Sequence, residues 1–151
     1  MNSKLKIEKY ISTLQLYHRS TYDLFIDKSS IVNSGLGVFT KNFIPKNSLI
    51  DEYYGEYIEN FPGGEYFFKI DENCGINAIN TPRCYMAMLN DASYRPTSKR
   101  GLRKFVDHNF INNCYFVTDI ENKKVRVYSL IDIQYNTELF ISYGSEYWND
   151  K

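Results

Sequence analysis

Long apolar runs, a bias of charge and paired cysteines are all missing from this 151-residue chain. No stretch approaches the ~20 consecutive apolar residues of a bilayer span. The opening Met1-Asn2-Ser3-Lys4-Leu5-Lys6 lacks the apolar centre of a secretory signal, so an intracellular location without a membrane is the expectation. Basic and acidic residues balance at 18 each, which removes any global field toward nucleic acid or an anionic surface. Cys74, Cys84 and Cys114 share no C-x-x-C spacing, and His18 and His108 stand far apart. An odd cysteine count without local spacing argues against a disulfide framework and a four-ligand zinc site. Buried free thiols and no structural metal are expected.

What the chain does have is tyrosine: 14 of them, within an aromatic content of 17%. Tyrosine combines apolar area with a hydroxyl, which suits both β-rich cores and binding surfaces. The length fits one ordinary domain. Ile7, Tyr10, Ile11 and Leu14 follow helical spacing and predict one amphipathic helix from Lys4 to Tyr17. It should pack on the domain or on a second copy of the chain, which would make a homodimer. Short alternating runs follow at Tyr22–Ile26, Val38–Lys41, Leu49–Tyr53, Glu65–Ile70, Tyr115–Ile120, Lys124–Leu130 and Glu138–Ile141. Glu121-Asn122-Lys123 joins two of them as a hairpin. Thr81–Leu89 alone interrupts with helix-like residues. The expectation is a helical extension over residues 1–20 and one mostly β domain over 21–151.

Four segments carry more than fold class. Ser34-Gly35-Leu36-Gly37-Val38-Phe39 runs into Glu52-Tyr53-Tyr54-Gly55-Glu56; Met86-Ala87-Met88-Leu89-Asn90-Asp91 comes next; Asn112-Asn113-Cys114-Tyr115-Phe116 follows after a long insert; and Glu138-Leu139-Phe140-Ile141-Ser142-Tyr143-Gly144 ends the series just before Tyr147-Trp148. A lone G-x-G is commonly a plain turn, and Tyr53, Phe116 or Tyr143 singly would read as core. In this order the segments resemble the SET domain of protein lysine methyltransferases, in a compact form without flanking zinc-binding segments. The resemblance spans Tyr22 to Trp148, with Ala87, Asp91 and Ser142 departing from the usual Arg, His and Asp.

The resemblance implies a SET fold: several short curled sheets whose C-terminal segment makes a knot-like crossing. It implies S-adenosylmethionine as cofactor, contacted by Gly35, Leu36, Gly37, Tyr66, Asn90 and Asp91, with Trp148 stacking on adenine; an aromatic plug that closes the core is the other reading of Trp148. Tyr53, Phe116 and Ile141 would line a channel for the substrate lysine, and Tyr143 would be the catalytic residue. The partner would be a protein or peptide, with a histone tail as the leading guess and the nucleus, or a host nucleus, as the corresponding place. Phe116 and Ile141 carry no hydroxyl to hold water against added methyl groups, which favours more than monomethylation. Two other readings stand beside this one. The departures at Ala87, Asp91 and Ser142 fit a degenerate module that binds a peptide or partner without transfer. The basic cluster Ser98–Lys104 fits a nucleic-acid contact, although a solvated loop is the commoner state of such a run.

Overall fold

The computed structural model describes residues 3–60, 65–96, 103–105 and 109–144, with the backbone alone described at 94–96 and 103–105. Helix α1 (Ser3–Ser12) precedes short strands β1 (Leu16–Tyr17), β2 (Leu24–Lys28), β3 (Leu36–Thr40), β4 (Leu49–Glu52), β5 (Glu56–Glu59), β6 (Phe67–Asp71) and β7 (Cys74–Asn77). After β8 (Arg83–Cys84) comes a single 3-10 turn, Tyr85–Met88, and then β9 (Tyr94–Pro96), β10 (Arg103–Phe105), β11 (Cys114–Asp119), β12 (Lys124–Ser129) and β13 (Thr137–Glu138). The strands form three three-stranded sheets, β11-β12-β4, β13-β3-β2 and β5-β7-β6, and two pairs, β1-β8 and β10-β9. The architecture is the expected one, mostly β with a helix in front.

The alternations in sequence become the core by pointing every second residue inward. Val125 and Val127 of β12, Val38 of β3, Ile44, Leu139 and Ile141 are all fully buried together. The predicted hairpin forms as read, with Asp119 opposite Lys124, Lys123 at φ +56°, and Asp119 accepting from the backbone and side chain of Asn122.

The structure departs from the sequence reading in three places. The helix stops at Ser12 rather than Tyr17, because Thr13 and Leu14 close its last turn on the carbonyls of Tyr10 and Ile11 and Gln15 then reverses the chain at φ +53°. The residues beyond it become β1, paired in parallel with β8. Strand β7 was not foreseen, since Cys-Gly-Ile-Asn shows no alternation. It occupies the centre of its sheet, and a Cβ on Gly75 would stand 2.0 Å from the Phe68 carbonyl oxygen, so glycine lets the strands approach. Thr81–Leu89 supplies strand β8 and the 3-10 turn rather than a longer helix.

The tail is held differently from an ordinary edge strand. Glu138 pairs with Phe39, Leu139 donates to the Val38 carbonyl at 2.7 Å, Phe140 bridges Asn90, and Ile141 bridges Cys114. Four consecutive residues thus engage three segments, and the tail passes between the Asn90 and Asn113 loops in the expected crossing. Asn113 clamps it with both ends of its amide: Nδ2 donates to the Glu138 carbonyl at 2.9 Å, and Oδ1 accepts from the Phe140 N–H at 2.8 Å. Replacing Asn113 by Ala leaves buried backbone groups without partners and is expected to cost about 2–4 kcal/mol of stability, measured by urea unfolding; a loss below ~0.5 kcal/mol would contradict the clamp.

Candidate functional site

Two hollows meet at the crossing. The larger, about 1180 Å³, runs from the Lys28–Leu36 segment past α1 to Asn90. The smaller, about 200 Å³, is walled by Tyr53, Phe67, Phe68, Met86, Leu89 and Phe116. Tyr66, Ala87 and Tyr143 line both, so the two hollows adjoin at these three residues.

The channel is built by three aromatic side chains from three separate strands or their ends. The rings of Phe68 and Phe116 lie 4.4 Å apart by centroid, with Tyr53 at 5.7 and 6.2 Å from them. Phe68 was not singled out from sequence, yet the alternation Glu65–Ile70 puts it on the same face as Tyr66. Burial first, then the neighbouring Cys84, Tyr143 and Tyr66, hold the Tyr53 hydroxyl far above the ordinary tyrosine value, so it is neutral through the physiological range. Burial also pushes up the thiols of Cys84 and Cys114, which leaves neither as a thiolate nucleophile at neutral pH. Cys74 is half-buried rather than buried.

Tyr143 stands where the two hollows adjoin, with its backbone pinned. Its N–H donates to Asp91 Oδ2 at 2.8 Å, and its hydroxyl donates to the Leu89 carbonyl in a short hydrogen bond. The other Asp91 oxygen accepts from the Ser93 N–H and from Asn112 Nδ2. Asp91 is buried and is not among the residues lining the larger hollow; its carboxylate joins the two loops that the tail passes between. Ser142 Oγ accepts from the Gly144 N–H at 3.2 Å. Of the three departures, Asp91 thus ties the tail to another segment, while Ser142 makes only a local contact within the tail.

On the opposite side, Tyr66 sits at φ +58° with its carbonyl accepting from the Ala78 N–H at 2.7 Å. The Arg83 guanidinium lies 3.9 Å from the Tyr66 ring centroid and donates to the carbonyls of Ala78 and Ile79. A cation over an aromatic face with its donors satisfied fixes the ring in place. This support was not anticipated from sequence, since nothing in Thr81-Pro82-Arg83 links it to Tyr66.

The remaining expected residues divide. Gly35, Leu36 and Asn90 line the larger hollow, and Gly35 adopts φ +67° with nothing within 4 Å of where a Cβ would stand. Gly37 instead faces Glu138, whose Oε2 lies 2.2 Å from the position of an added Cβ. Asn90 Nδ2 donates to the Leu36 carbonyl at 3.0 Å and to Glu138 Oε2 at 3.2 Å, so its amide braces the wall. Ile141 is fully buried in the core and does not line the channel. Trp148, and the basic cluster apart from the backbone of 103–105, lie outside the described residues.

The larger hollow suits a polar nucleoside-type ligand that also carries a carboxylate. Its charged lining residues are the cations Lys28 and Arg83, its hydroxyls and amide come from Ser29, Ser30, Ser34 and Asn33, and open backbone at Gly35 permits close approach. Among the described residues no three His, Cys, Asp or Glu side chains gather as a metal site, and no helix is long and apolar enough to cross a membrane.

The SET domain model matches residues 35–144. A histone-lysine N-methyltransferase, H3 lysine-4 specific, of Chaetomium globosum is 30% identical over 134 residues, covering 79% of this chain and 11% of that protein. The corresponding protein of Neurospora crassa is 29% identical, with 79% and 9% covered; the chain thus spans about a tenth of the length of these curated relatives. Among solved structures, KRYPTONITE in complex with mCHH DNA, an H3(1–15) peptide and SAH aligns with a TM-score of 0.59 at 21% identity, over 83% of this chain and 24% of that one, a likeness of fold. A Plasmodium falciparum protein designated a candidate histone methyltransferase aligns with a TM-score of 0.55 at 26% identity, covering 85% of this chain and 98% of its own.

The buried phenol yields a titration test. Above pH 10 the unfolded Tyr53 loses its proton while the folded one keeps it, so folding stability declines there. Urea unfolding at pH 10 and 11 is expected to show wild type losing about 1 kcal/mol more than Tyr53→Phe over that interval; equal losses would contradict a desolvated channel.

Proposed function

Because the chain belongs to the SET domain family, we propose that it transfers a methyl group from S-adenosylmethionine to the ε-amine of a lysine in a protein substrate. The observation that carries this reading is the junction at Tyr66, Ala87 and Tyr143, where a large hollow of mixed polar and apolar lining adjoins a narrow aromatic channel; an opening there would join them. A two-substrate displacement needs donor and acceptor brought together in line from opposite sides, and these hollows supply the two sides.

The cofactor, when bound, supplies an electrophilic methyl on a sulfonium. Gly35, Leu36 and Asn90 would hold it, with Lys28 available to its carboxylate and Trp148 to its adenine. Gly37 and Asp91 would act by packing against Glu138 and by pinning Tyr143. On the other side, Tyr53, Phe68 and Phe116 would enclose the lysine stem. A free lysine has a pKa near 10.4, so presenting the neutral amine at pH 7 costs about 4–5 kcal/mol. Excluding water from the ammonium lowers that cost, and aromatic walls close to the charged centre still accommodate a methylated cation. The Tyr143 hydroxyl, whose proton is engaged by the Leu89 carbonyl, would use its oxygen to orient the amine and stabilise the charge that develops.

The substrate is proposed to be a histone tail, on the strength of the names borne by the relatives, with the nucleus or a host nucleus as the corresponding place of action. The sheet β5-β7-β6 has free edges beside the channel where a peptide strand can add by backbone pairing. The degenerate-module reading loses part of its support here: Asp91 accepts from the Tyr143 N–H and so holds the tail to the Asn90 loop, which speaks against that substitution marking decay of the crossing.

Tyr143→Phe is expected to slow methyl transfer to a histone peptide by at least about 100-fold while S-adenosylhomocysteine still binds within a few-fold of wild type. Full activity in the variant, or no transfer by wild type despite binding, would count against the proposal. Mass spectrometry of the peptide methylated by wild type should show products beyond one methyl, as Phe116 has no hydroxyl to hold a blocking water; a monomethyl product alone at long times would overturn that part.

A further inference from the structure

Helix α1 contributes to the larger hollow in a way that the family reading did not foresee. Ile7 and Tyr10, three residues apart, stand on one face of α1, and Leu14 continues that line in the closing turn; all three line the hollow opposite the Lys28–Leu36 segment. Ile11, one position round, packs on the core. The helix is lightly seated: it touches β2 and rests on the core through Ile11, but none of its residues is buried and a second hollow of about 640 Å³ lies along its contact with β2. At 1180 Å³ the main hollow exceeds the ~300–1,000 Å³ of an ordinary small-molecule site, so a bound cofactor leaves room for this wall to move inward. Tyr10 is 56% exposed at that wall. A large aromatic side chain held open to solvent beside a cavity gains most by meeting a flat apolar ligand surface.

Building on the proposed cofactor, we infer that α1 is the cover of its site: Ile7, Tyr10 and Leu14 form a movable apolar wall whose Tyr10 ring lies against the adenine, the one flat aromatic group the cofactor carries. The helix closes onto bound cofactor and rests loosely without it, independently of the chain beyond Gly144. The one α-helix among the described residues is thereby part of the ligand site rather than an appendage or a dimerisation arm.

The test uses the full chain with S-adenosylhomocysteine as probe. Isothermal titration should show Tyr10→Ala weakening binding about tenfold and Tyr10→Phe, which keeps the ring face, by no more than about twofold. The ligand-free melting temperature should be unchanged in both, as Tyr10 is exposed. Hydrogen exchange over residues 3–14 should slow on adding the ligand. If wild type binds and Tyr10→Ala binds equally well, or if exchange over 3–14 does not respond, the cover is wrong while the cofactor reading stands. An effect of Tyr10→Ala confined to the peptide KM would also overturn it, by assigning the helix to the substrate side. If wild type binds no S-adenosylhomocysteine, the cofactor reading falls and the cover with it.

Discussion

One buried carboxylate ties the molecule together. Glu138 is only 2% exposed, yet its two oxygens accept from the Ser29 hydroxyl, the Ser30 N–H and the Asn90 amide. A charge in the interior is tolerated only when its acceptor sites are filled, and filling them draws three distant segments to one point. Gly37 must be glycine because the carboxylate occupies the space of a Cβ, and the carbonyl of the same Glu138 is gripped by Asn113. The wall of the larger hollow, the loop bearing Asn90 and the tail bearing Tyr143 are therefore set by one constraint. The place where the two hollows adjoin follows from it, as Tyr143 lies five residues along the tail from the carboxylate.

Most of this arrangement was legible in the amino-acid sequence where residue pattern and burial coincide. The alternation Val125-Arg126-Val127 states which face of β12 is inside, and the ordered motifs brought Tyr53, Phe116, Asn90 and Tyr143 to one locality. The hub was harder to read. A glutamate after threonine in a terminal strand looks like a solvated edge residue, and only the tertiary crossing buries it. Phe68 could have been found from its spacing with Tyr66, whereas the Arg83 stack on Tyr66 depends on how β8 pairs with β1, a contact with no local signal. Strand β7 escaped notice because its glycine serves backbone approach, which periodicity does not encode.

The substitutions that set this chain apart acquire physical meaning in the same frame. Asp91 provides an acceptor for the Tyr143 N–H and for Asn112, work that requires a carboxylate side chain in place of the family's histidine. Gly35 and Gly37, adjacent in one motif, turn out to have separate tasks, one exposing backbone to the hollow and the other admitting Glu138. The apolar stripe of α1, legible as a helix from spacing alone, is divided between a cavity, lined by Ile7, Tyr10 and Leu14, and the core, on which Ile11 packs, a distinction that spacing does not encode.

The central claim is that the opening at Tyr66, Ala87 and Tyr143 is where donor and acceptor meet. A crystal structure of the chain with S-adenosylhomocysteine and a lysine-containing histone peptide tests it most directly. The account predicts the cofactor sulfur at that opening and the lysine side chain between Tyr53, Phe68 and Phe116. A cofactor bound elsewhere, or a peptide whose lysine does not enter the channel, would contradict it.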